Sequence, residues 1–116
     1  FNDMTLSSGL AAIDISGIRS GGALYIERGE TVLINQVLFE QNKADNGGGA
    51  IYMRNSSGSL PITLSISRSV FNNNTTNGSR GGGAIRGGTS SSVSIEDSSF
   101  YKNTATHSNG YGGAIF

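Results

Sequence analysis

One short motif recurs along most of the chain. A Gly-Gly-Ala-apolar tetrad occurs four times, with its alanines at positions 23, 50, 84 and 114, that is, at intervals of 27, 34 and 30 residues. A second motif, Phe-x-x-Asn, lies between successive tetrads, as the pairs Phe39/Asn42, Phe71/Asn74 and Phe100/Asn103. Two motifs that alternate at a nearly constant period indicate a repeat protein, in which each repeat buries its apolar face against its neighbours.

The segment before each phenylalanine predicts a short β-strand. Apolar residues stand seven and five positions before the aromatic ring, as Val32/Ile34, Leu64/Ile66 and Val93/Ile95, and in the second and third copies polar residues alternate with them. A period of two is typical of a strand with one buried face. A strand this short cannot bury that face alone, so we expect the copies to stack. The prediction is an all-β, right-handed parallel β-helix, a solenoid of about three to four coils of 27–34 residues.

The motifs also divide the chain. Coils are expected to start near residues 21, 48, 82 and 112, so that 21–116 forms the repeat region. Residues 1–20 fit the repeat poorly, because Phe1 is followed by Met4 where an asparagine is expected, and we interpret them as an irregular edge or partial coil. The second repeat carries five extra residues around 55–59, a polar stretch that predicts an extruded loop. We expect either a fragment of a longer solenoid or a subunit that stacks end to end into a fibril.

Three sets of residues have predicted structural roles. The paired glycines are expected at a corner where φ is positive. The asparagines of the second motif are expected to form a hydrogen-bonded ladder along the stacking direction, through Asn42, Asn74 and Asn103. The position two after each tetrad alanine holds Tyr25, Tyr52 and then Arg86, and the arginine indicates that this position faces outward or lies near an opening. Together with Tyr101, these three residues are the candidates for an outward interaction surface.

Composition excludes several functions. Formal net charge is zero and charged residues make up 14% of the chain without clustering, so we expect no nucleic-acid partner. No apolar run approaches 18 residues, so no membrane insertion is expected in this segment. The eight carboxylates do not recur at one repeat position, and the single histidine, His107, lies in a polar loop. We therefore predict no catalytic residues, no metal site and no cofactor, and classify the segment as non-enzymatic.

Asparagine also occurs in N-glycosylation sequons. The pattern is satisfied at Asn55, Asn73, Asn74 and Asn77. Asn74 is the predicted ladder residue, so its amide is expected to be buried. Asn55 and Asn77 lie in variable loops, and we expect glycans at one of these two, with Asn73 as a further candidate, if the chain is made by a eukaryotic cell.

The alternation of Gly-Gly-Ala-[Ile/Leu] with Phe-x-x-Asn resembles the repeat of the polymorphic outer-membrane proteins of chlamydiae, which are surface proteins of the pectin-lyase-like β-helix class. The resemblance covers about residues 21–116. It implies an extracellular or cell-surface location and a structural or adhesive role, with host or neighbouring surface molecules or glycans as partners. The alternative is a polysaccharide-binding or polysaccharide-processing β-helix whose active residues lie outside this segment.

Overall fold

The described part of the chain consists of β-strands and turns. A computed structural model describes residues 2–7 as a strand and residues 21–27, 29–55, 58 and 60–116 in full. Within these ranges there are twelve strands and no helix. The strands are β1 (Asn2–Ser7), β2 (Leu24–Glu27), β3 (Thr31–Glu40), β4 (Lys43–Ala44), β5 (Ile51–Arg54), β6 (Ile62–Ser67), β7 (Val70–Asn72), β8 (Thr75–Thr76), β9 (Ile85–Arg86), β10 (Ser91–Glu96), β11 (Ser99–Tyr101) and β12 (Thr104–Ala105).

All registered strand pairs are parallel and fall into three sheets. The largest has the order β10-β6-β3-β7-β11, with β1 also paired to β3, and the others are β12-β8-β4 and β2-β5-β9. The long strand β3 pairs with β6 through its first half and with β7 through its second. Each repeat therefore enters the three sheets in the same order. The sheets are separate and are not closed on one another, and their parallel, repeated order is consistent with the predicted β-helix.

The register confirms the predicted alignment of the apolar strand residues. Ile34 pairs with Ile66, and Ile66 with Ile95. Phe39, Phe71 and Phe100 stack in the same way, with ring centroids 4.4 and 4.5 Å apart and nearly parallel planes. Because apolar residues occupy equivalent places in each repeat, their side chains meet and form one core. The tetrads and the strands that contain or follow their last residue, β2, β5 and β9 (the tetrad strands), contribute further buried residues to this core: Ile26, Ala50, Ile51, Met53, Ala84 and Ile85.

Non-glycine residues hold two of the corners in a left-handed conformation. Gln36, Arg68 and Asp97 have φ of 55°, 48° and 47° at equivalent positions of the three repeats. A second set of equivalent residues follows five positions later, at Gln41, Asn73 and Lys102, with φ of 56°, 54° and 54°. Such backbone is uncommon for these residue types. Its recurrence at equivalent positions shows that the bend belongs to the repeat.

The two glycines of each tetrad serve different purposes. The first turns the chain, as at Gly48, where φ is 62°. The second glycine lets the backbone of the neighbouring repeat approach closely. A Cβ on Gly49 would overlap the carbonyl oxygen of Gly83 and lie 2.6 Å from the amide nitrogen of Thr75. The predicted corner role therefore applies to the first glycine, whereas the second is required by close approach of backbones.

Residues 2–7 form a further strand along β3. Its register places Met4 opposite Val37 and Leu6 opposite Phe39. Leu6, rather than Phe1, thus stands at the repeat's aromatic position, which explains the poor fit of Phe1 to the motif. The remainder of the predicted edge segment 1–20 lies outside the described residues.

Candidate functional site: the outward face of the tetrad strands

Aromatic and arginine side chains form a row across the sheet β2-β5-β9. The register pairs Tyr25 with Tyr52, and Tyr52 with Arg86. The two tyrosine rings stack with centroids 5.7 Å apart and planes 12° apart. The guanidinium carbon of Arg86 lies 4.3 Å from the ring centroid of Phe116, at cation–π distance. The row exists because the same outward position is placed side by side in successive repeats.

Tyr52 is less accessible than the sequence suggests. Its neighbour Tyr25 is 39% exposed, but Tyr52 is only 5% exposed. Tyr25 stacks on its ring, and the guanidinium of Arg80 donates a hydrogen bond to its hydroxyl at 3.2 Å. The prediction of Tyr52 as an outward surface residue is corrected accordingly: the residue lies in the row but is covered by its neighbours. Tyr101, on β11, is 48% exposed.

Three arginines meet beside this row. Arg54 at the end of β5, Arg80 in the turn before the third tetrad, and Arg86 on β9 line one cavity of about 130 Å³, which we call the arginine pocket. The other lining residues are Tyr52, Met53, Asn55, Gly87, Gly88 and Thr89. None of these nine is acidic, and the surface they present is almost wholly polar.

Glycine positions bring the arginines together. A Cβ on Gly47 would lie 3.3 Å from Cβ of Arg80 and 3.4 Å from Cγ of Arg86, so both side chains pack over this residue. On the opposite side, a Cβ on Gly88 would lie 2.9 Å from the amide nitrogen of Asn55. Since a larger residue at either position would push the walls apart, the pocket depends on the glycines as well as on the charged side chains.

The electrostatics of the pocket differ between its inner and outer parts. Burial lowers the pKa of Arg86, and the positive charge of Arg80 lowers it further, against an opposing contribution from Tyr52. At the outer side, the hydrogen bond of the Arg54 guanidinium to the Tyr25 hydroxyl, at 3.5 Å, raises the pKa of this exposed arginine. Arginine stays protonated in both settings. The pocket therefore holds positive charge partly withdrawn from water.

Several polar atoms in the pocket are buried without a hydrogen bond to the described protein. These are Nδ2 and Oδ1 of Asn55 and Nε of Arg86. Buried polar groups are nearly always hydrogen-bonded in folded proteins, because an unpaired group loses its hydrogen bonds to water and gains none in the protein. Asn55 and Arg86 both line the pocket, but these three atoms are inaccessible to solvent and do not form its surface.

The predicted glycosylation residues fall in different environments. Asn73 and Asn77 are exposed, whereas Asn74 is fully buried. Asn55 is partly buried, and both terminal atoms of its side chain are inaccessible to solvent. An amide must be reachable to be glycosylated, so the structure disfavours Asn55, contrary to its predicted place in an exposed loop. The next two residues of that sequon lie outside the described residues.

The structure brings the ladder asparagines together. Nδ2 of Asn42 donates to Oδ1 of Asn74 at 3.0 Å, and Nδ2 of Asn74 donates to Oδ1 of Asn103 at 2.9 Å. Each Oδ1 also accepts a backbone N–H of the preceding repeat, at 3.1 and 3.0 Å. The second proton of Asn74 Nδ2 reaches the carbonyl oxygen of Phe39. The ladder thus joins backbone and side chains of three repeats.

A second outward surface runs across β3, β6 and β10. It is a shallow groove of about 430 Å³ lined by Leu33, Ile34, Asn35, Ser65, Ile66, Ser67, Arg68, Ser94 and Glu96. Arg68 is tied to Asn35, whose Oδ1 accepts from Nε and Nη2 at 3.0 and 2.8 Å. Among the registered strand positions of the described chain, no two carboxylates stand opposite one another.

Metal-binding side chains do not gather in the described residues. No group of three or more His, Cys, Asp or Glu residues is placed to hold an ion there. His107 is exposed in its loop, and its Nδ1 accepts the backbone N–H of Asn109 at 3.0 Å. The described chain also contains no helix long and apolar enough to cross a membrane.

Sequence reasoning found the row but missed the pocket. The outward position of Arg86 was visible because the residue aligns with Tyr25 and Tyr52. Arg80 precedes its tetrad in a segment of variable length, and Arg54 ends a strand that has no equivalent charge in the next repeat. No motif in the sequence links these three arginines, so sequence reasoning had no signal for the pocket.

Comparison with known proteins agrees with the repeat. A sequence model of the Chlamydia polymorphic membrane protein repeat matches residues 36–54 and 97–116, and each match contains one Phe-x-x-Asn motif followed by one tetrad. The chain carries repeats of the polymorphic membrane protein type. The probable autotransporter YfaL of Escherichia coli (strain K12) is 32% identical over 63 residues, which is 54% of this chain. The matching segment spans 5% of that relative's length. No solved structure matches the chain significantly.

Proposed function

We propose that this chain is a segment of a right-handed parallel β-helix displayed at the outer membrane or cell surface, where it serves as a non-enzymatic spacer and adhesive element. The observation that carries the proposal is the register: equivalent residues of successive repeats pair in parallel, within three sheets entered in the same order. The repeat type and the names of the similar proteins, a polymorphic membrane protein and a probable autotransporter, support the location.

The right-handed path follows from the parallel pairing. Each strand returns beside its equivalent only after the chain has passed through two other sheets, so the connection is a crossover between parallel neighbours. Such crossovers are right-handed in about 98% of cases. Closure of the three sheets around one core is the remaining step of the proposal, and the shared apolar cluster of the tetrad strands and the larger sheet supports it.

The adhesive role is placed on the outward faces because the inside is filled. Phe39, Phe71 and Ile66 are at most 2% exposed, which leaves no room for a ligand between the sheets. Tyr25, Arg86 and Tyr101 lie outward and are at least partly accessible. Tyrosine and arginine are enriched among residues that dominate binding at protein surfaces. Surface molecules or glycans of neighbouring or host cells are the proposed partners.

Thiol cross-linking tests the stacking, since the chain contains no cysteine of its own. Leu33, Ser65 and Ser94 are register partners on adjacent strands of the second outward surface. Neighbouring strands lie about 4.8 Å apart, so the pair Ser65→Cys/Ser94→Cys is expected to react with a short bifunctional thiol reagent. The matched pair Leu33→Cys/Ser94→Cys, two strands apart at roughly 9.6 Å, is expected to stay uncoupled. Equal coupling of both pairs would refute the stacked register.

Cell adhesion and polysaccharide cleavage test the role. Beads coated with the folded segment are expected to adhere to cultured cells more than beads coated with the heat-unfolded segment. Incubation with acidic polysaccharides is expected to release no new reducing ends. Sustained release by the purified segment would favour the enzyme alternative, and equal adhesion by both bead preparations would contradict the adhesive proposal.

A further inference from the structure

One reactive dipeptide recurs outside the β-strands. Asn-Gly occurs three times, at 46–47, 77–78 and 109–110, and each time it lies between a ladder asparagine and the tetrad that follows. In such a pair the backbone nitrogen of the glycine can attack the side-chain amide carbon of the asparagine, because glycine has no Cβ to obstruct the approach. Each pair is therefore a chemical candidate for spontaneous loss of the side-chain amide.

Two of the three pairs are packed against a neighbouring repeat. A Cβ on Gly78 would overlap the backbone of Asn46, so Gly78 lies directly on the preceding repeat. A Cβ on Gly47 would lie 3.2 Å from the carbonyl oxygen of Gly81 in the following repeat. Both glycines are buried. Ring closure requires the glycine nitrogen to turn toward the asparagine side chain, and these contacts between repeats oppose that movement.

The third pair is packed against its own turn. The three atoms nearest to a Cβ on Gly110 would be the carbonyl oxygen of His107 at 3.0 Å, Cβ of Ala105 at 3.4 Å and Cβ of His107 at 3.5 Å. Asn109 is exposed, and Gly110 is partly exposed. The N–H of Gly110 donates to the carbonyl oxygen of His107 at 2.8 Å, and this bond must open before the nitrogen reacts. An exposed turn opens locally at little cost in free energy, whereas buried backbone opens rarely.

The length of the connection accounts for this difference. The tetrad alanine follows the ladder asparagine by 8, 10 and 11 positions in the three successive repeats. Asn109 lies six positions after its ladder residue, whereas Asn46 and Asn77 lie four and three positions after theirs. The longest connection thus carries its Asn-Gly pair farthest from the ladder, into a turn closed by its own hydrogen bond.

We propose that Asn109 is a site of spontaneous modification, where the side-chain amide is lost through a five-membered succinimide ring. The nitrogen of Gly110 loses its proton to the solvent and bonds to Cγ of Asn109, while the Cγ–Nδ2 bond breaks and Nδ2 leaves as ammonia with a proton from water. Water then opens the ring at either carbonyl carbon, which gives aspartate or isoaspartate. The net reaction consumes one water and releases one ammonia, and no atom is oxidised or reduced.

The modification changes the surface and leaves the stack of repeats in place. It adds one negative charge to a chain whose formal net charge is zero. The turn at 107–110 lies between β12 and the fourth tetrad, so neither a strand nor the ladder contains the modified residue. The exposed turn thus acquires a carboxylate with time. This reaction needs only the folded segment and water, so it is independent of the proposed adhesive function.

Peptide mass spectrometry tests the proposal on the purified segment. Trypsin separates the three pairs into the peptides 44–54, 69–80 and 103–116. After incubation in mildly alkaline buffer, the folded segment is expected to lose the amide of Asn109 at least about tenfold faster than that of Asn46 or Asn77, because a packed site reacts only through its locally opened form. A sample unfolded in guanidinium chloride should react at similar rates at all three sites. Loss at Asn109 no faster than at Asn77 in the folded segment would refute the site.

Two glycine variants separate the chemistry from general stability. Gly110→Ala adds a methyl group beside the attacking nitrogen, at a residue without positive φ, and is expected to slow the loss at Asn109 by about tenfold. Gly113→Ala makes the same change three residues later, where the nearest atom would be the carbonyl oxygen of Asn103 at 3.5 Å, and should leave the rate unchanged. Equal slowing by both variants would refute attack by the Gly110 nitrogen. Ring opening gives isoaspartate as well as aspartate, so a product that is aspartate alone would refute the succinimide route.

Discussion

Removal of the central asparagine of the ladder should destabilise the fold far more than a side chain of that size suggests. The side chain of Asn74 takes part in four hydrogen bonds, two as acceptor from Asn42 and two as donor, to Asn103 and to the carbonyl of Phe39. A hydrogen bond contributes a net stability of about 1 kcal/mol, and more when its loss leaves a buried partner unpaired. Asn74→Ala should therefore lower the free energy of unfolding by about 4 kcal/mol.

The measurement is urea unfolding followed by circular dichroism and tyrosine fluorescence. A loss of about 4 kcal/mol is a large part of the 5–15 kcal/mol that holds a typical domain folded, so the midpoint should fall steeply. Asn77→Ala makes the same chemical change three residues later, at an exposed position, and should alter stability by no more than about 0.5 kcal/mol. A difference between the two variants below about 1 kcal/mol would refute the energetic role of the ladder.

Three further predictions concern single positions. Gly49→Ala should prevent folding or unfold the protein at ambient temperature by circular dichroism, because its Cβ would overlap the backbone of the next repeat; Gly58→Ala, with nothing within 4 Å, should lose only about 1 kcal/mol from its positive φ. Phe71→Ala removes the middle ring of the stack and should cost about 3–5 kcal/mol in urea unfolding, while Tyr101→Ala at the surface should cost under about 1 kcal/mol. Expression in a eukaryotic secretory pathway should yield a glycan at Asn77, which peptide mass spectrometry would detect; an unmodified Asn77 beside other occupied sequons would contradict its accessibility.

The core of this fold was predictable because its positions repeat as residue types. Ile34, Ile66 and Ile95 recur at one offset from phenylalanine, and a strand period of two then assigns them to one face. Burial nevertheless varies along the column, since Ile95 is 38% exposed and Ile34 only 1%. Such differences depend on which repeats flank a residue, and a pattern within one repeat does not contain that information.

The corners held by non-glycine residues and the arginine pocket were not predictable, for related reasons. Gln36, Arg68 and Asp97 share a backbone conformation but no side-chain chemistry, because their conformation is imposed by the strands on either side. The pocket joins residues from a strand end, a turn of variable length and another strand, which only the three-dimensional stacking brings together. Tyr52 was assigned to the correct face, yet it is covered by Tyr25 and Arg80, which belong to other repeats.

The asparagine ladder has a consequence for how such proteins change in length. Oδ1 of Asn74 accepts a hydrogen bond from Asn42, 32 residues earlier, and Nδ2 of Asn74 donates one to Asn103, 29 residues later. The same pair of side-chain atoms is used in both bonds. Any repeat thus presents the same bonding edge to whichever repeat precedes or follows it. In-frame duplication or deletion of one entire unit would restore these contacts across the new junction, so recombination can lengthen or shorten the molecule in whole steps while partial insertions are confined to the turns.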